Sequence, residues 1–207
     1  MKSRKIIIHV RLIGAPGRNQ LNGIFRHLGR TTDWNIHLTQ NEQELIEELK
    51  STESSLTKPD GFIISAPLSD AACTLIAKIH VPTVLIDIRP YRISKRNNNL
   101  AFVHNDDGGI GLIAAKHLFG LGNFRSFAFV HAKESRPWSD RRLEAFSFFL
   151  EKHGHRCAIC HSNNLPSDED RQLLIDFLRQ LERPAAVFAA WDNRAIQILE
   201  CARAAKI

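Results

Sequence analysis

No apolar run in the 207 residues approaches the roughly 20 that a helix needs to cross a bilayer. We therefore expect no membrane partner. The start, Met1-Lys2-Ser3-Arg4-Lys5 followed by Ile6-Ile7-Ile8, has the outline of a signal peptide, but His9 and Arg11 interrupt the apolar run at once. We read a cytoplasmic start and a first strand. Cysteine is sparse. Cys73, Cys157, Cys160 and Cys201 are dispersed, which fits free thiols in a reducing compartment better than a disulfide framework.

The signatures of common enzymes are also absent. No Gly-x-Gly-x-x-Gly follows a strand, so no dinucleotide site is read. The loop Gly14-Ala15-Pro16-Gly17 lacks the Gly-Lys-Ser/Thr ending that cradles phosphates. No Gly-x-Ser-x-Gly nucleophile elbow occurs. We assign no catalytic residue and no cofactor, and read a binding protein rather than an enzyme. No helix-turn-helix, zinc finger or aromatic RNA-binding motif is found. The net charge of +6 raises the question of nucleic acid, but the basic residues are scattered. Arg89, Arg92, Lys95 and Arg96 form one loose cluster, read as a solvated loop in preference to a phosphate site.

The segment His153-Gly154-His155-Arg156-Cys157-Ala158-Ile159-Cys160-His161 contains Cys-x-x-Cys-His, the c-type haem attachment pattern, and residue types that bind zinc. On a strand, Cys157 and Cys160 point to opposite faces. That suits neither haem nor zinc, so both are read as packed cysteines and no metal is assigned.

What remains is a chain in which strands and helices alternate. Charged residues make up 24% and hydrophobic ones 43%, the proportions of a soluble globular protein with a sizeable core. Lys5–Val10 reads as a strand, and Asn19–Arg30 as a helix with Leu21, Ile24, Phe25 and Leu28 inward. Trp34–Leu38 is the second strand. Asn41 caps the next helix, with Glu44 in the capping-box position and Leu45, Ile46 and Leu49 inward. Gly61–Ser65, Thr83–Ile88 and Ala101–Val103 are strands, and Ser69–Ile79 is a helix. The segment Arg89–Asn99 is polar and irregular. Asp106 and Asp107 suit a helix N-terminus and Gly122 its end, before the strand Phe127–Val130. Ser139–His153 is an amphipathic helix with Leu143, Phe146, Phe149 and Leu150 inward. His155–Cys160 is a strand. Ser167 caps the helix Glu169–Leu181, with Asp170 in the capping-box position; Ala185–Ala190 and Asn193–Ala205 complete the series. Repeated strand–helix–strand units predict doubly wound parallel sheets covered on both faces. We expect two α/β subdomains, residues 1–105 and 106–207. Ligands in such folds bind at the carboxyl ends of strands, often in the cleft between units.

Four passages carry a resemblance. Asp106-Asp107-Gly108-Gly109-Ile110-Gly111-Leu112-Ile113-Ala114-Ala115-Lys116-His117-Leu118, then Gly120 and the strand Phe127-Ala128-Phe129-Val130, resembles the central crossover of the sugar-sensing domain of lactose- and galactose-repressor-type regulators. Arg18-Asn19-Gln20-Leu21-Asn22-Gly23-Ile24 with Trp34-Asn35-Ile36 resembles the opening of the sensor domain of xylose operon activators. Trp138-Ser139-Asp140-Arg141-Arg142-Leu143-Glu144-Ala145-Phe146 is similar to the family phrase Arg-Leu-x-Gly-Phe, with Ala145 where Gly is usual. Pro184 to Ala195 is similar to the family's strand that ends in a polar residue and Asp before a helix.

The resemblance implies a periplasmic-binding-protein-like fold of type I and a small-molecule sugar effector, xylose or a related monosaccharide. It implies DNA contact through a region absent from this chain; a cytoplasmic homodimer is expected, through the first subdomain or through apolar edges left uncovered by missing segments. The family continues past the point where this chain reads Ala205-Lys206-Ile207, so the C-terminal part of the second subdomain is expected to be missing. An exported sugar-binding protein of a transporter and a small α/β enzyme are the alternative readings.

Five residues are the candidates for ligand binding. Arg142 offers a planar fork of donors to vicinal hydroxyls, and is otherwise an exposed helix-start arginine of little weight for stability. Asp192 either accepts two hydroxyl protons or caps its helix. Trp138 and Trp191 bracket the same inferred face; each either stacks on a pyranose or packs at an interface. Arg18 is a candidate on the resemblance alone. Asp87 and Asp106 are read as a strand end and a helix cap.

Overall fold

The computed structural model describes residues 3–28, 33–54, 58–65, 67–93, 98–134, 136–162 and 164–207. The chain forms two compact units, Met1–Asn105 and Asp106–Ile207.

In the first unit the strands are β1 (Arg4–His9), β2 (Trp34–Thr39), β3 (Gly61–Ser65), β4 (Thr83–Ile86) and β5 (Leu100–Val103). They pair in parallel in the order β2-β1-β3-β4-β5. The helices are α1 (Ala15–Leu28), α2 (Glu42–Ser54) and α3 (Asp70–Ile76). β1 shows why helices cover both faces. Ile7 packs with Leu45 and Leu49 of α2 and Ile76 of α3, whereas Ile6 and Ile8 pack with Leu21 and Ile24 of α1. The strand's period of two sends alternate isoleucines to opposite cores.

Local chemistry sets the helix starts. Asn41 Oδ1 accepts from the Glu44 amide at 3.0 Å, and Glu44 Oε2 accepts from the Gln40 amide at 2.7 Å. This is a reciprocal cap one residue out of the usual register. Ser69 caps α3 through the Ala72 amide. α1 begins four residues before the expected Asn19, because Pro16 is accepted in the first turn, where its missing N–H costs nothing. The expected end at Arg30 lies outside the described residues. Phe25 is exposed rather than inward.

The second unit has α4 (Asp107–Gly120), β6 (Ser126–Val130), α5 (Pro137–Lys152), β7 (Cys157–Cys160), α6 (Ser167–Gln180), β8 (Ala185–Ala189) and α7 (Asp192–Ala204). Its sheet is parallel, in the order β7-β6-β8. Phe127, Phe129 and Phe188 meet Phe146 and Leu150 of α5 on one face; Val130, Cys160 and Val187 meet Leu174, Leu178 and Ile198 of α6 and α7 on the other. Asp106 caps α4 through the Gly109 amide at 2.9 Å. Gly111 lets α4 approach α5, since a Cβ there would run into the Arg142 carbonyl. Gly122, at φ +152°, turns the chain out of α4.

Two expected caps are corrected. Ser167 is the first residue of α6 rather than its cap; Pro166 holds that place with no side-chain hydrogen bond, and Asp170 is drawn inward by a buried arginine. Asp192 is the first residue of α7 rather than its cap, which is Trp191. The strand placement of Cys157 and Cys160 stands. Cys157 faces the α5 core and Cys160 the α6 core, both as free thiols that burial pushes up to about 11.

Candidate functional site

In a parallel sheet whose strand order reverses, ligands sit beyond the carboxyl ends of the strands at the reversal. In the second unit that point lies between β6 and β8. Arg142, in the second turn of α5, reaches it. Its Nη1 donates to the Ala190 carbonyl at 2.7 Å, next to Trp191. Its Nε and Nη2 donate to Asp107 Oδ1 at 3.3 and 3.2 Å. The guanidinium lies 4.7 Å from the ring centroid of Trp138, one turn earlier on α5. Asp107 is 2% exposed at its side chain and Arg142 17%. A guanidinium has five N–H donors. Three are used here, so two remain for a guest against an aromatic face.

Behind this edge lies a more deeply buried set. Arg194 of α7 is 1% exposed. Its guanidinium grips both oxygens of Asp170, at 2.6 and 2.8 Å, and donates to the His131 carbonyl, Gln197 and Ser162 Oγ. Burial opposes charge on Asp170, but Arg194 and Ser162 outweigh it and hold the carboxyl below its usual range. His131, the residue after β6, is buried. Its Nδ1 meets Ser139 Oγ at 3.0 Å and its ring stacks on His161 at 4.1 Å. Burial, reinforced by His161 and opposed by Asp140, lowers its pKa.

In the first unit the reversal falls between β1 and β3. Gln20 of α1 accepts from Ser65 Oγ at 2.8 Å and donates to Asp87 at 3.4 Å. Asp87, at φ +58°, also accepts from the Asn105 side chain at 3.3 Å. Arg18 ties down the loop after β1 through the Leu12 and Ile13 carbonyls at 3.1 and 3.3 Å. The edge is thus lined by amide, hydroxyl and carboxylate groups able to both donate and accept. Among the described residues no cluster of His, Cys, Asp and Glu is arranged to hold a metal.

Residues 115–207 match the family described as periplasmic binding protein-like domain. The whole chain superposes on solved structures. The xylose-binding transcription activator xylR is 20% identical with a TM-score of 0.77, over 100% of this chain and 52% of that one. A periplasmic ribose ABC transporter protein from Conexibacter woesei is 18% identical with a TM-score of 0.76, over 99% and 70%. A LacI family transcriptional regulator from Mycobacterium smegmatis is 23% identical with a TM-score of 0.64, over 97% and 72%. No curated protein matches the chain.

The chain has the periplasmic-binding-protein-like fold of type I.

Within this fold, the five candidates fall in two places. Trp138, Arg142, Trp191 and Asp192 belong to the second unit, where Arg142 links the Trp138 ring to the segment that leads into Trp191 and Asp192. Trp191 is 47% exposed and Asp192 is exposed. Arg18 belongs to the first unit. The expectation that Arg142 is an exposed residue of little weight for stability is corrected, because its ion pair with Asp107 ties α5 to the start of α4. Lys95 and Arg96 of the loose basic cluster lie outside the described residues, and Arg92 is paired with Asp70 at 2.6 Å. Arg194 and Asp170 were not singled out as partners in the sequence, although both fall on apolar helix stripes.

Proposed function

We propose that the chain is the sugar-sensing domain of a cytoplasmic transcription regulator, with xylose or a related monosaccharide as effector. DNA contact would come through a region outside this chain. The observation that carries the reading is Arg142, fixed by Asp107 and Ala190 O yet left with two free donors beside the Trp138 ring. A pyranose has an apolar face for such a ring and hydroxyls for a planar donor fork. Trp191 and Asp192 supply a second ring and an acceptor at the same edge. An effector acts by binding one state of the regulator more tightly than another, and this difference is all it can contribute to the switch. No residue here is given a catalytic role.

The likeness to the ribose transporter protein is nearly as high as that to xylR. It supports a second reading, an exported sugar-binding protein, built on the same sugar site.

Titration calorimetry of Arg142→Lys tests the site. Lysine keeps the charge for Asp107 but loses the fork, so sugar affinity should fall by about 10-fold or more, in line with the loss of a charged hydrogen bond. Trp191→Ala should weaken binding about 2–10-fold, the worth of an aromatic contact. Affinity unchanged in both variants would remove this edge from the site.

A further inference from the structure

His131 follows directly on β6, the strand at the reversal, and joins the candidate edge by two routes. Through its side chain, Nδ1 meets Ser139 Oγ at 3.0 Å, and the same hydroxyl accepts from the Ala132 amide at 3.4 Å. Ser139 is fully buried in the first turn of α5, next to Trp138 and one turn before Arg142. Through the backbone, the Val130 carbonyl accepts from the Ala190 amide at 2.9 Å, and the Ala190 carbonyl accepts from Arg142 at 2.7 Å. His131, Ser139, Arg142 and Ala190 thus close a circuit around the edge.

The surroundings of the ring suit a neutral imidazole and disfavour the cation. A neutral ring has one donor and one acceptor nitrogen, whereas the cation has two donors. Nδ1 has Ser139 Oγ, with Asp140 Oδ1 at 3.6 Å. Nε2 is buried and has no hydrogen-bond partner among the described residues. Protonation would leave a charged N–H there with no acceptor, a far larger penalty than an unmet neutral group. The ring's faces and edges offer no compensation. The exposed His161 stacks on it at 4.1 Å, and Phe129 meets it edge to face at 5.0 Å. Arg194 donates to the His131 carbonyl at 3.1 Å and claims Asp170 for itself. Lys133 follows two residues on, and the start of α5 turns the positive end of its dipole toward Nδ1. Burial and then His161 lower the pKa of the ring, and Asp140 opposes them.

We propose that His131 is a proton-sensitive positioning residue for Arg142. Neutral, it pins the first turn of α5 through Ser139. Protonated, it swings out past His161 toward water, and the Ser139 contact is lost with it. The start of α5 is then untied beside Trp138, Arg142 loses its fixed place, and sugar binding weakens in acid. By linkage, bound sugar makes His131 harder to protonate by the same factor. The effect on sugar rests on the sugar-sensing reading; the coupling of His131 to Arg142 does not.

NMR of the sugar-free chain tests the coupling by itself. The ring signals of His131 and the Nε–H signal of Arg142, assigned by its loss in Arg142→Lys, should move together with one midpoint below about 6.5. Asp140→Asn should lower that shared midpoint by about 0.2–0.7 pH unit, the worth of a part-exposed ion pair. Asp140 is exposed, so this change leaves the fold in place. In His131→Asn the Arg142 signal should stay flat over the same range. Titration calorimetry with xylose and ribose at pH 7.5 and 5.5 then reads the consequence. The dissociation constant should rise about fivefold or more on acidification, the low end of typical coupling between sites, and less than about twofold in His131→Asn. An Arg142 signal that ignores the His131 midpoint, a midpoint unmoved by Asp140→Asn, or equal sugar affinity at the two pH values would each overturn the proposal. A shared midpoint in a chain that binds no sugar would sink the sugar reading and leave the coupling of His131 to Arg142 standing.

Discussion

Replacing Asp170 by Asn tests how the second unit is held together. Arg194 is 1% exposed and Asp170 4%. Asp170 receives two of the five hydrogen bonds that the guanidinium makes. Asparagine keeps the shape, but it removes the charge and turns a donor toward the guanidinium. An exposed ion pair lost in this way would cost about 0–1 kcal/mol. A buried cation left without its partner costs about 3–5 kcal/mol. The two estimates do not overlap, so the measurement decides between them. In a Trp34→Phe background, the remaining fluorescence comes from Trp138 and Trp191, both in the second unit. Urea unfolding should then show a midpoint lowered by roughly 2 M, for an m-value near 2 kcal/mol/M. Asp170→Leu with Arg194→Met should return stability to about the parent level or above, since apolar replacements of buried pairs are often neutral or stabilising. A loss of under about 1 kcal/mol in Asp170→Asn would refute the assignment of this pair as the anchor between α6 and α7.

Gly111→Ala should destabilise the second unit by about 1–3 kcal/mol, the usual cost of overpacking, because the added methyl must displace the Arg142 carbonyl; thermal unfolding measures it, and a neutral result would show that α4 and α5 can separate freely. Stability should fall between pH 7.5 and 5.5. Burial lowers the pKa of His131 and of His9, the latter against Glu42 and Glu44. The unfolded imidazoles, near 6.5, therefore take up protons first, and stability is lost as pH falls through 6.5 toward the folded values. Asp170 does not contribute in that window, since its lowered pKa affects stability only below about 3.9. The urea midpoint should therefore drop at pH 5.5, and less so in His131→Asn; an unchanged or rising midpoint would contradict the account.

Much of the fold was legible because each helix and strand carries its own period. The repeated strand–helix–strand units predict two covered faces, and β1 has them, with Ile7 in one core and Ile6 and Ile8 in the other. The Asn41–Glu44 cap was readable because its partners are four residues apart at most. Ser167 and Asp170 show where such reading stops. Their spacing is that of a capping box, yet Asp170 also shares a stripe with Leu174 and Leu178, all buried. Arg194 shares a stripe with Ile198 and Cys201. Opposite charges on two apolar stripes are the signal of a buried pair, but pairing residues 24 positions apart needs the packing of two helices. Local capping chemistry lost to that long-range bond. The candidate site was legible in the same measure. Arg142, Trp138 and Trp191 were singled out as candidates by type and position, and Arg142 meets the Trp138 ring and the carbonyl before Trp191, whereas the Asp107 that fixes Arg142 read only as a favourable helix-start charge.

Titration calorimetry of the unmodified chain against pentoses and hexoses, xylose and ribose among them, tests the central claim most directly. A sugar-sensing domain predicts saturable heat with at least one monosaccharide, at one site per chain, and loss of that heat in Arg142→Lys. Absence of binding to every sugar in the panel by the folded chain would contradict it.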